Sequence, residues 1–138
     1  MENRRNKSGI QGENMNKIYI SWEDTGLMLE NLVGQILQSG KRFDGVYGVP
    51  RGGLPIAVYL SHHLNLPMLM HPSRDSLVCD DISDTGKTLQ SYRNRTIATL
   101  YSTKWTKAKP DFFVELKKRK DDWVVFPWEN YEKERRTD

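Results

Sequence analysis

Residues 77–89 read Leu-Val-Cys-Asp-Asp-Ile-Ser-Asp-Thr-Gly-Lys-Thr-Leu. An apolar strand end delivers two adjacent carboxylates, and a loop of hydroxyls, Gly and Lys follows. Asp80 and Asp81 can accept hydrogen bonds from a cis-diol or face a divalent cation. The loop Asp84-Thr85-Gly86-Lys87-Thr88 offers successive backbone N–H groups, two hydroxyls and a helix start to one phosphate. Together these are the groups that a phosphorylated sugar needs. A Walker A loop is excluded: Gly86-Lys87-Thr88 supplies its last three positions, but its first glycine would fall on Asp81, whose carboxylate would repel the β-phosphate. A plain strand–loop–helix junction capped by Thr85 or Asp84 would share the local shape. Paired buried carboxylates, however, serve no packing purpose.

A second constellation is Val49-Pro50-Arg51-Gly52-Gly53, which ends one strand and opens one helix. Two glycines let the backbone approach a ligand closely, and the Arg51 fork can hold an oxyanion. Many turns contain Gly-Gly. The loop becomes informative beside Asp80–Thr88, because two strand C-termini of one sheet would then present anion-binding groups to one crevice.

The run 77–89 closely resembles the phosphoribosyl-pyrophosphate (PRPP) motif of type I phosphoribosyltransferases: an apolar stretch, two acids, then Asp-Thr-Gly and Lys-Thr. Pro50–Gly53 resembles the pyrophosphate loop of the same family, which often carries a cis peptide, here Pro50–Arg51. Pro110-Asp111-Phe112-Phe113-Val114 and Val125-Phe126-Pro127-Trp128-Glu129 are similar to the xanthine–guanine and hypoxanthine members. The resemblance implies a mostly parallel α/β sheet flanked by helices, with a small C-terminal hood at about 104–130. It implies a Mg²⁺-dependent transfer of the phosphoribosyl group from PRPP to N9 of a 6-oxopurine, with release of pyrophosphate. Arg51, Gly52, Gly53, Asp80, Asp81, Ser83, Asp84, Thr85, Gly86, Lys87 and Thr88 would bind PRPP. Asp80 and Asp81 would hold the ribose hydroxyls and the metal with its waters. Arg51 and Asp84 would be catalytic, Asp84 as the base near purine N7. Lys104 would reach the purine 6-oxygen, Trp123 would stack on the base, and the Val124 backbone would bond the purine edge. Lys107 is the alternative to Lys104. A homo-oligomer, dimer or tetramer, is expected.

One departure stands out. Family members place a long hairpin and a mobile catalytic loop before the PRPP motif, whereas here only His71–Ser76 joins Met70 to Leu77. His71 and Arg74 are the residues that could stand in for that loop. Its absence supports an alternative reading, a non-catalytic regulatory protein of the same fold that binds PRPP or a nucleotide.

These residues need an α/β frame to position them. Lys17–Ser21 reads as a strand, and Ser21 or Asp24 caps a helix with a stripe of Leu27, Leu29, Leu32, Val33, Ile36 and Leu37, stopped by Gly40. Strands are expected at 43–49, 66–70, 77–79 and 96–102, and helices at 54–64 and 88–95. Strands at 112–116 and 123–126 are joined by the charged turn that holds Lys117, Lys118, Arg119 and Lys120. Residues 1–16 are expected to be a disordered leader, with Met15 a second start, ahead of one domain at 17–130 and a charged tail at 131–138.

The 138 residues suffice for one core, and 28% charged against 37% hydrophobic describes a soluble globular chain. No apolar run nears the ~20 residues of a membrane helix, and the N-terminus lacks a signal peptide's apolar stretch. Cys79, the single cysteine, sits in an expected core strand, and a cytoplasmic setting follows. The net charge of +3 gathers in the C-terminal third, from Lys104, Lys107 and Lys109 to Lys117–Lys120. No aromatic residue interleaves Lys117–Lys120 to stack bases, so that run reads as a solvated turn rather than a nucleic-acid surface.

Overall fold

A computed structural model describes residues 16–129. The expected leader with Met15, and the charged tail, lie outside the described residues, save Asn16, which already belongs to the first strand. The elements are β1 (Asn16–Tyr19), α1 (Trp22–Ser39), β2 (Val46–Gly48), α2 (Gly53–Leu64), β3 (Leu77–Ser83), β4 (Thr96–Ser102), β5 (Glu115–Leu116) and β6 (Asp122–Val125). The main sheet has the order β2-β3-β4-β5 with every pair parallel. Alternation in its central strands sorts side chains between two faces. Leu77, Cys79, Ala98 and Leu100 join the core under α1 and α2. Val78 and Ile97 point the other way, into a smaller cluster with Val49, Leu89 and Ala108. This is the α/β architecture expected from the sequence.

Helix α1 begins with a capping box: Ser21 Oγ accepts from the Asp24 N–H at 2.9 Å, and Asp24 accepts from the Ser21 N–H at 3.4 Å. It ends at Gly40, whose φ of 72° is left-handed and favours glycine. Its buried face is Thr25, Met28, Leu29, Leu32 and Ile36. Leu27 and Leu37, expected in the stripe, are both 62% exposed. At 100° per residue Leu27 lies on the face opposite Leu29, so a list of leucines overstates the stripe.

Other expectations need correction. Residues 66–70 make a single bridge, Val46 to Met68, beside β2 instead of a full strand. The helix expected at 88–95 is one 3₁₀ turn, Leu89–Tyr92. The segments at 112–116 and 123–126 do not form a hairpin. β5 adds to β4, whereas β6 pairs with β1 in a separate two-stranded parallel sheet, with Lys17 opposite Trp123 and Ile18 opposite Val124. That small sheet therefore takes one strand from each end of the described chain. Trp128 is a packing residue, stacked on Phe126 at 5.1 Å and edge-on to Trp22 at 6.1 Å. Cys79 is buried and free. Among the described residues no helix is long and apolar enough to cross a membrane.

The two faces of α1 make distinct demands on stability. Leu32 is fully buried, so Leu32→Ala is expected to cost about 2–5 kcal/mol through lost burial and a residual cavity. Leu37→Ala is expected to stay within about 0.5 kcal/mol. Urea unfolding of the two variants checks this, and similar losses would mean that the helix faces are assigned wrongly.

Candidate active site

The two glycine- and acid-bearing loops meet because β2 and β3 are parallel neighbours, with Gly48 level with Cys79. Their C-terminal ends emerge side by side. The Val49 N–H donates to the Cys79 carbonyl at 2.9 Å, and the Gly53 N–H donates to the Val49 carbonyl at 2.8 Å, which starts α2. The Pro50–Arg51 peptide is cis, as the resemblance implied. A side chain at Gly52 would collide with the Asp81 carboxylate, and one at Gly53 with the Cys79 carbonyl. Close approach, not turn geometry, requires glycine at both positions. Arg51 is thereby set beside the paired acids, with its side chain exposed.

Asp80 and Asp81 lie on β3 itself, which runs four residues beyond its expected end at Cys79. Each carboxylate accepts from the next backbone N–H, Asp80 from Asp81 at 2.8 Å and Asp81 from Ile82 at 2.7 Å. Neither has an ion pair among the described residues. Burial, with the neighbouring Asp81 charge second, pushes the Asp80 carboxyl up to about 8. Burial also raises Asp81. Two desolvated carboxylates without a counter-charge suit a bound cation or a pair of ligand hydroxyls. Among the described residues no group of three or more His, Cys, Asp or Glu could hold a metal alone. A cation here would therefore be completed by ligand oxygens and water, as hard divalent ions at phosphate sites commonly are.

Residues 80–89 line a cavity of about 250 Å³. Gly86 has a φ of 83°, and any side chain there would strike the backbone of Lys107 and Ala108. The loop is braced from that side, since the Lys107 N–H donates to the Thr85 carbonyl at 2.9 Å. Thr85, Lys87 and Thr88 remain exposed. Ser83 shares that lining, but its side chain is turned to the bracing loop. It is buried, donates to the Ala108 carbonyl at 2.7 Å and meets Thr106 Oγ1 at 2.7 Å, so its hydroxyl holds the bracing loop. With a 3₁₀ turn after the loop, what it offers to an anion is amides, hydroxyls and Lys87 more than a helix terminus.

Asp84 is the most heavily contacted acid of the site. Its backbone carbonyl accepts from Thr103 Oγ1 at 2.6 Å, one carboxylate oxygen from Trp105 Nε1 at 3.0 Å and the other from Lys117 Nζ at 2.6 Å. Lys104 is bracketed by two of these partners and is exposed. Lys117 corrects the reading of the basic run as a solvated turn. It is 6% exposed, its ammonium lies 5.9 Å from the Trp105 ring centre, and Lys120 flanks the same ring at 5.6 Å. Only Asp84 could have signalled Lys117 from the sequence, and it lies 33 positions away. Trp123 is 41% exposed on β6, and Val124 is buried on the same strand. No hydrogen bond or ion pair joins the side chain of Trp123 or Val124 to Asp80–Thr88 among the described residues. Lys107 contributes its backbone to the loop, as described above.

No family model matches the chain. It is 26% identical to a xanthine-guanine phosphoribosyltransferase of Idiomarina loihiensis, over 82% of this chain and 87% of that protein. Among solved structures it is similar to a purine phosphoribosyltransferase from Pyrococcus horikoshii, with 30% identity, 85% of this chain and 96% of that one covered, and a TM-score of 0.72. The chain belongs to the type I phosphoribosyltransferase family. A Helicobacter pylori xanthine-guanine-hypoxanthine phosphoribosyltransferase shares the fold at a TM-score of 0.72 and 22% identity, over 86% of this chain and 97% of its own.

In this phosphoribosyltransferase the uncompensated acid pair makes stability depend on pH. An unfolded Asp titrates near 3.9, whereas folded Asp80 titrates at about 8. Between those values the folded state holds a proton that the unfolded chain has released, so stability falls as pH rises through that window. In chelator, the urea midpoint is expected to be lower at about pH 8 than at about pH 5, and Asp80→Asn should flatten that slope. An unchanged wild-type midpoint would argue against a buried, uncompensated pair.

The buried lysine makes a separate demand. Lys117→Ala removes the Asp84 contact and the packing on Trp105, and is expected to cost about 1–3 kcal/mol. Lys118→Ala should stay within about 0.5 kcal/mol. Chemical denaturation of both variants decides between a buried brace and a surface charge.

Proposed function

We propose that the chain transfers the 5-phosphoribosyl group of PRPP to N9 of a 6-oxopurine and releases pyrophosphate. The observation that carries this reading is the junction of the two loops, where Gly52 lies against the Asp81 carboxylate. A pyrophosphate held at Arg51–Gly53 would thus be adjacent to ribose hydroxyls held at Asp80 and Asp81, with the 5′-phosphate on Thr85–Thr88. The N9–C1′ bond forms as the C1′–pyrophosphate oxygen bond breaks. Charge then grows on the leaving group, where the Arg51 fork and the loop amides can stabilise it. Mg²⁺ fits the donor set of Asp80 and Asp81, and when bound it would neutralise pyrophosphate oxygens.

On this reading the purine gives up one proton, and Asp84 is its acceptor near N7. Lys117 and Trp105 keep Asp84 oriented, and each carboxylate oxygen retains a further acceptor site. Lys104, between two partners of Asp84, is the donor proposed for the purine 6-oxygen, and Trp123 is the proposed stacking surface. The alternative of a regulatory binder has one structural support. The 70–76 connection passes the strand-entry end of the sheet, where Ser73 Oγ donates to the Asp44 carboxylate and the Asp44 N–H donates to the Asp75 carbonyl. Arg74 lines a cleft at that end, away from Asp80–Thr88.

Pyrophosphate release assayed with hypoxanthine, guanine, xanthine and adenine tests the reading. A 6-oxopurine is expected to be used and adenine rejected, because a lysine only donates and would meet adenine's amino donor. A site built for one hydrogen-bonding pattern can discriminate by up to ~10⁴-fold. Lys104→Ala should erode that selectivity, and Lys107→Ala should not. Equal use of adenine would sink the lysine assignment, and tight PRPP binding without turnover would favour the regulator.

A further inference from the structure

A second polar concavity lies at the other end of the main sheet. In a parallel sheet all the strand-entry loops gather at one end, away from Asp80–Thr88. Residues just ahead of β2, β3 and β4 enclose a cleft of about 390 Å³ there. The length of β3, seven residues or roughly 23 Å, separates it from the phosphate loop.

Five cations line this cleft: Lys41, Arg42, Arg74, Arg93 and Arg95. Only two acids stand with them, Asp75 and Asp111. No ion pair forms between these groups among the described residues. Asp111 is engaged elsewhere, accepting from the Ile97 N–H at 2.8 Å. The nearby Asp44 is likewise engaged, with Ser73 Oγ at 2.7 and 2.8 Å. Arg95 is fixed in place, its Nε donating to the Ser73 carbonyl at 2.7 Å. The side chains of Lys41, Arg42, Arg74 and Arg93 make no hydrogen bond or ion pair among the described residues. Like charges drawn from three separate loops repel one another unless an anion sits among them.

We infer that this cleft binds a nucleoside triphosphate. Three arginines with free guanidinium forks match phosphate oxygens bidentately. Half-buried Phe43, which packs against the main core, adds an apolar wall to the same lining. The volume is near the lower end of the ~300–1,000 Å³ of small-molecule sites, which suits a mononucleotide better than an extended strand. The site is separate from the proposed transfer chemistry and stands whether or not that reading holds.

The test is a titration of the ¹⁵N-labelled full chain with ATP in chelator, followed by amide shifts. Shifts are expected at 41–43, 74–76 and 93–96. Arg74→Glu with Arg93→Glu should weaken ATP on the order of tenfold or more, as should the milder Arg93→Gln in part, with thermal unfolding unchanged for these exposed positions. Raised salt should weaken ATP as well. Shifts confined to 50–53 and 80–88, undiminished affinity in the double variant, or equal binding of uncharged adenosine would each overturn the proposal. So would a short single-stranded RNA that displaces ATP from the cleft at lower concentration, since the occupant would then be a strand.

Discussion

Asp80 and Asp81 sit side by side at the end of a buried parallel strand, each desolvated and neither matched by a cation. Much of the architecture around them follows from that demand. Their carboxylates accept from the backbone N–H groups of Asp81 and Ile82, which are local partners too weak to replace a counter-charge. The loop after the neighbouring strand must present a glycine, because any Cβ at position 52 would occupy the space of the Asp81 carboxylate. That same close approach brings the Arg51 loop against the acids. One electrostatic constraint and one steric constraint therefore build a two-loop site.

The polarity of the sheet then divides the molecule. Strand exits carry the acids and the 84–88 loop, while strand entries carry the cationic cleft with Arg74 and Arg95. The short 70–76 connection belongs to the entry end, tied down by Asp44 on Ser73 and by Arg95 on the Ser73 carbonyl. Arg74, which the sequence offered for a stand-in lid, lines a cleft at the opposite end of the sheet.

Asp84 illustrates how far a site can draw on distant chain. Thr103, Trp105 and Lys117 converge on it from β4's exit loop and from just beyond β5. A buried lysine on a carboxylate is tolerable where the pair is close and further donors share the load, and here Trp105 supplies both a hydrogen bond and a ring beside the ammonium. Lys117 thereby leaves the solvated run to which composition assigned it.

The chain's local signals determined the α/β class, a helix start at Ser21 to Asp24, the stop at Gly40, the run of β4 and the two loops at 50–53 and 80–88, while the cis bond at Pro50–Arg51 was legible only through the family resemblance. Each is a property of a few contiguous residues, or of a motif whose spacing already encodes its chemistry. The tertiary structure alone decided which strands pair. β6 joins β1 rather than β5, because strand pairing is a long-range choice that period-2 patterning does not express. It also decided that Ser83 faces the 106–108 loop, that Leu27 and Leu37 face solvent, and that Lys117 is buried on Asp84. Burial is set by what the rest of the chain packs against a residue, and a lysine's own neighbours in sequence carry no trace of an acid 33 positions away.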